Sequence, residues 1–125
     1  KYLGDITKIR FLSSWELKFM IMCDTNPYIL KWGSEEFRVK YWNPLKNKVC
    51  DYIPDFIIKY KNKHDEVITE VIEIKPKKQS VISKKMSDYD KAALIVNQAK
   101  WSAAVSLCES HGIKFRVLTE EELFG

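Results

Sequence analysis

The chain has 125 residues, 46% of them hydrophobic, enough for one domain with a real core. Four tryptophans and six tyrosines argue against disorder, and a net charge of +4 suits an anionic partner without identifying one. No apolar run reaches the roughly 18 residues of a membrane helix, and three scattered cysteines without a Cys-x-x-Cys pair argue against a disulfide framework or a zinc site. Reduced thiols in a cytosolic setting are the expectation.

Residues 1–12 read as an irregular lead-in to a single domain spanning 1–125. A chain that opens on Lys1 suggests a piece of a longer protein, with a further N-terminal segment. Ser13 or Ser14 is a natural N-cap, and Trp15, Phe19 and Met22 then recur at helical steps. Pro27 disfavours a helical residue before it, so this helix should end near Asp24–Pro27. From Glu36 to Trp42 the pattern alternates as a strand, with Phe37, Val39 and Tyr41 on one side. Asn43-Pro44-Leu45-Lys46-Asn47 is a turn. A second strand is expected from about Val49 to Tyr60 and a third from about Glu66 to Lys75. Short connections make these three an antiparallel meander. Residues 88–111 predict a long helix with an apolar face, ended by Gly112. Lys114 to Leu118 predicts a fourth strand, in parallel pairing with a meander strand through a right-handed crossover. Thr119-Glu120-Glu121-Glu122 has the form of a capping box opening a terminal helical turn.

The informative residues lie in the second and third strands. Asp55 follows Pro54 inside an apolar run, and Glu73-Ile74-Lys75 ends another. Charges in apolar strands are costly without a use. With the connecting loop centred on His64, Asp55 faces Glu73, Ile57 faces Val71 and Ile53 faces Lys75. Facing side chains lie roughly 5 Å apart, within reach of a single divalent cation. Lys75 projects from the same face as Glu73. Phe56, Ile58, Tyr60, Ile68, Ile72 and Ile74 fall on the other face, which suits a covering helix. A slip of one residue would separate the two acids. The competing reading is a pair of acids merely solvated or bridged to Lys75.

Pro54-Asp55 and Glu73-Ile74-Lys75 resemble the PD and (D/E)XK elements of the PD-(D/E)XK nuclease superfamily. Ser13-Ser14-Trp15-Glu16 resembles the helix-one pattern of its TnsA-type members. With Glu-Ile-Lys-Pro-Lys-Lys-Gln from Glu73 and Asn-Gln-Ala-Lys-Trp from Asn97, the chain looks most like the TnsA-like head-completion nucleases of tailed phages. It departs from RecB-type relatives, since Gln98 is followed four residues later by Ser102 rather than tyrosine.

The resemblance implies an α/β, restriction-endonuclease-like fold, with a central mixed four-stranded sheet flanked by helices. It implies a deoxyribonuclease that uses Mg²⁺ or Mn²⁺, held by Asp55, Glu73 and the Ile74 carbonyl. Glu16 would be a further ligand from the first helix, and Lys75 would orient or deprotonate the attacking water. A first-turn carboxylate favoured by the helix dipole is the plainer reading of Glu16. DNA contacts are expected from Lys77, Lys78, Lys84 and Lys85, and from Gln98 and Lys100 on the long helix. A solvated lysine run and an exposed polar helix face compete with these. Trp32, Tyr41, Trp42 and Trp101 are candidates to stack on bases, with core packing the default for Trp15 and Trp101. The implied setting is the host cytoplasm or the virion, with packaging or capsid components as partners, no membrane, and a homodimer as one candidate state. Two alternatives stay open: a DNA-binding virion component without turnover, and a transposition or junction-processing nuclease.

Overall fold

The computed structural model describes residues 1–3, 14–77 and 85–124. Its elements in chain order are α1 (Ser14–Thr25), β1 (Ile29–Ser34), β2 (Val39–Asn43), β3 (Lys48–Tyr52), β4 (Phe56–Lys61), β5 (Val67–Ile74), α2 (Asp88–Ser110), β6 (Lys114–Leu118) and α3 (Glu120–Phe124). The main sheet has four strands in the order β1-β4-β5-β6; only β5 and β6 run parallel. This is the mixed sheet expected of a restriction-endonuclease-like fold.

Its membership differs from the expected meander. The strand predicted from Val49 to Tyr60 is broken at Ile53-Pro54-Asp55 into β3 and β4, because Pro54 has no N–H to offer a ladder. β3 turns back on β2 as a separate two-stranded sheet. The place beside β4 is taken by β1, which the sequence pattern does not announce. A bulge between Ile29 and Lys31 is the reason, since it puts Ile29 and Trp32 in one core at an odd spacing and erases the period of two. Residues 1–3 lie along the outer side of β1: Tyr2 bridges Trp32 in parallel, and the Trp32 N–H donates to the Lys1 carbonyl at 2.8 Å. Gly33 permits this approach, because a Cβ there would stand 2.9 Å from the Leu3 carbonyl oxygen.

The β4–β5 hairpin has the expected register: Ile57 faces Val71, and Phe56 faces Ile72. Its turn is held by Asn62, whose Oδ1 accepts from the His64 and Glu66 N–H groups, with Asp65 in the left-handed region at φ 61. Phe56, Ile58, Ile72 and Ile74 are buried beneath α1, as that face predicted. The helix turns Phe19, Met20 and Cys23 inward; Met22, expected on the stripe, is 38% exposed. Phe56 stacks on Phe19 with centroids 4.7 Å apart and reaches Trp32. Phe56→Ala is therefore expected to cost about 3–5 kcal/mol in denaturant unfolding, and a loss below about 1 kcal/mol would contradict this packing.

The second core lies between α2 and the β2–β3 hairpin. Val39, Tyr41, Tyr52 and Ala104 form it, with Phe115 of β6 and Trp101 packed against it. Ser87 caps α2 by accepting the Asp90 N–H. At the other end Gly112 is left-handed at φ 69, and Gly112 and Ile113 donate back to Glu109 and Cys108. That is the Schellman pattern predicted for Gly112, with His111 as the C-cap residue. Half of the expected capping box forms: Glu122 Oε2 accepts from the Thr119 N–H, while Thr119 Oγ1 accepts from the Glu121 N–H in place of Glu122.

Candidate active site

Asp55 stands where the chain leaves Pro54 and enters β4, and Glu73 stands near the end of β5. The break before β4 leaves backbone groups without ladder partners, and the two acids satisfy them. Asp55 Oδ2 accepts the Ile74 N–H at 2.8 Å, and Glu73 Oε1 accepts the Asp55 N–H at 3.3 Å. Each acid is thus fastened to the other's strand, and the facing pair read from the sequence is met. Lys75 Nζ lies 3.9 Å from Glu73 Oε2 and keeps 30% of its side chain in solvent, while Glu73 keeps 8%. The Lys75 N–H donates to the Leu118 carbonyl, so β6 closes the far side. Ile53 is not opposite Lys75 in a ladder; it is exposed in the break.

Burial dominates the electrostatics. It raises the Glu73 carboxyl to about 8, helped by the charge of Asp55 and opposed by Lys75. The Asp55 carboxyl is raised too, again chiefly by burial, against the Ile74 N–H and Lys75, which lower it. A buried carboxyl and a half-buried one this close cannot both ionise cheaply; they hold a proton in common or share a cation. Two hard oxygen donors with solvent beside them fit a magnesium-like ion, which keeps several waters and takes few carboxylates. Among the described residues no group of three or more His, Cys, Asp and Glu is arranged to hold a metal ion. Glu16, half-buried in the first turn of α1, is therefore not drawn into the Asp55–Glu73 cluster.

The predicted DNA contacts divide. Lys77 donates to Glu121 Oε1 at 2.6 Å, and its N–H to Glu120, so α3 engages it. Lys78 and Lys84 lie outside the described residues; Lys85 and Gln98 are exposed. Lys100 places its ammonium over the rings of Tyr52 and Tyr41, at 5.7 and 5.9 Å. Of the aromatic candidates for stacking, Trp32 and Tyr41 are buried in the two cores and Trp101 packs against the second. Their apolar faces serve packing, and only Trp42, 55% exposed, offers a free face.

Three neighbours of the acids escape the sequence pattern. Glu35, left-handed at φ 56, donates its N–H to the Asp55 carbonyl, and its charge also raises the Asp55 carboxyl. Tyr52 and Trp101 approach through the second core. Only the position of Tyr52, three residues before Asp55, hinted at this.

Residues 26–120 match the family described as TnsA-like endonuclease N terminal. The head completion nuclease of Enterobacteria phage T4 is 38% identical over 133 aligned positions, which cover 98% of this chain and 86% of that protein. No solved structure matches. Among the described residues no helix is long and apolar enough to cross a membrane. The family match spans most of the chain, on the fold and strand break that carry Asp55 and Glu73: the chain belongs to the TnsA-like endonucleases.

Proposed function

We propose that this protein is a metal-dependent DNA endonuclease that acts in the host cytoplasm during phage DNA packaging or head completion. The observation that carries the proposal is the cross-bonded pair of half-buried Asp55 and buried Glu73, with Lys75 at its open side. The name of the T4 relative supports the phage setting. Asp55 and Glu73 would hold Mg²⁺ or Mn²⁺, with the Ile74 carbonyl and Glu16 as the further ligands that the family resemblance implies. Such a cation, when bound, polarises the scissile phosphate and lowers the pKa of a bound water.

The chain's own groups supply the rest. Glu73 and Asp55 give up their shared proton and present anionic oxygens from two strands locked in register. Lys75 orients the attacking water and offsets the charge that develops on the phosphate oxygens. Attack of that water at phosphorus breaks the bond to the 3′ oxygen; the water gives a proton to solvent and the 3′ oxygen takes one from solvent, leaving a 5′ phosphate and a 3′ hydroxyl. Packing over Tyr52 holds Lys100 close to this centre, where a phosphate of the same strand would pass. The test is supercoiled plasmid incubated with Mg²⁺, Mn²⁺ or EDTA. Nicking with either metal and none in EDTA is expected; nicking that survives EDTA would overturn the metal reading. No cleavage of any DNA form would leave a binding protein in its place.

Lys77, Lys78, Lys84 and Lys85 would serve as sequence-independent phosphate contacts. Replacing Lys77 and Lys78 by alanine is expected to weaken binding to all DNA sequences alike. It should lower the slope of log affinity against log salt by about 1–2. An unchanged slope would mean that Lys77 stays committed to Glu121 and that neither lysine meets the backbone.

A further inference from the structure

The hydroxyl of Tyr52 and the indole Nε1 of Trp101 are sealed from solvent, and neither completes a hydrogen bond. Buried polar atoms without partners are uncommon and call for a reason. Tyr52 is 4% exposed and ends β3; Trp101 comes to it from α2, and both belong to the second core. The groups that act on the Tyr52 hydroxyl identify its direction. Burial first, then the charges of Glu73 and Asp55, hold it protonated, while Trp101 stands on its acceptor side. An indole can only donate, a phenol both donates and accepts, and an ionised carboxylate can only accept, so with Glu73 ionised the order is Trp101 to Tyr52 to Glu73.

We propose that Tyr52 is a positioning residue of the nuclease site, donating its hydroxyl to the Glu73 carboxylate while accepting from Trp101, and so fixing which oxygen Glu73 presents to a cation. The inference rests on the reading of Asp55 and Glu73 as metal ligands. Partners that orient a ligating carboxylate typically change metal affinity 10- to 100-fold when removed. Tyr52 suits the role, since it lies on the segment that leads directly through Pro54 to Asp55. Trp101 extends the chain of bonds to α2, and Lys100 beside it lies against the same tyrosine ring.

The test is Mn²⁺ binding, followed by electron paramagnetic resonance, for wild type, Asp55→Ala, Tyr52→Phe and Trp101→Phe. Tyr52→Phe keeps the ring in the core and removes only the hydroxyl, which completes no hydrogen bond in the structure, so its melting temperature without metal should hold or rise. Its Mn²⁺ affinity should fall about 10- to 100-fold. Trp101→Phe should show a smaller loss, absent when added to Tyr52→Phe, because it acts through that hydroxyl. Tyr52→Phe with affinity within twofold of wild type overturns the inference. So does a large drop in melting temperature with affinity retained, which is the mark of a packing role. If wild type binds no Mn²⁺, the metal reading falls and this inference with it. If Asp55→Ala loses binding and Tyr52→Phe does not, the inference alone falls.

Discussion

Supercoiled plasmid stays intact when the protein carries Asp55→Ala or Asp55→Asn, at concentrations where wild type nicks it in Mg²⁺. The expected loss is on the order of 10³-fold or more, because the proposed mechanism places the Asp55 charge at the reacting phosphate and its cation. The two variants separate chemistry from folding. The Asp55 side chain is also the acceptor for the Ile74 N–H. Alanine leaves that donor unpaired beside the core, at about 1–3 kcal/mol of stability. Asparagine keeps an acceptor oxygen in place and removes only the charge. Both variants should lose cleavage, and only Asp55→Ala should lose stability in denaturant unfolding. Cleavage retained by Asp55→Asn would remove this carboxylate from the mechanism.

Glu73→Gln is expected to yield a protein that is more stable at pH 8 in EDTA and inactive with any metal. Burial raises the Glu73 carboxyl from an ordinary 4.5 to about 8. Between those values the unfolded chain has released its proton and the folded chain keeps it. Stability therefore falls as pH rises, with the contribution fully present below about 4.5 and lost by about 8. Asp55, raised in the same direction, adds to the trend. Glutamine resembles the protonated acid and cannot ionise, so much of this slope should vanish. The measurement is the melting temperature of wild type and Glu73→Gln in EDTA from pH 5 to 8.5. Parallel curves would show that Glu73 does not titrate in this window. Under the proposed metal-dependent mechanism this strain has a use: two anions held ready for a cation destabilise the fold until something offsets their charge.

The sequence carried the hairpin well. Charges at Asp55, Glu73 and Lys75 interrupt apolar strands, and a loop centred on His64 fixes which residues face each other. α2 was legible from its apolar face and from Gly112 at its end, whereas its N-cap, Ser87, emerges only in the fold. β1 was not, because a bulge replaces alternation with a spacing of three between Ile29 and Trp32. Pro54 was read as part of a motif and not as a break, which hid the separate β2–β3 sheet. Tyr52 was hinted at only by its place three residues before Asp55, and Trp101 not at all, because packing of α2 on the β2–β3 hairpin brings it to Tyr52 and no spacing along the chain encodes that. The basic residues were visible as charges, but their partners were not; only the fold shows Lys77 engaged by α3 and Lys100 lying over two tyrosines.

The pairing of residues 1–3 with β1 bears on how copies of this protein can associate. An open strand edge is a template for another chain. Here the β1 edge is occupied: backbone bonds to Trp32 are made by Lys1 and Leu3, and Gly33 lets them lie flush. Among the described residues, that leaves β6 as the one edge of the main sheet able to accept a strand. β6 is five residues long and carries Lys114 and Arg116, a short and charged edge of the kind that discourages joining. Dimers built by continuing the main sheet are disfavoured at both ends, which leaves the β2–β3 sheet, helices, loops or the DNA itself as the places where two copies would meet.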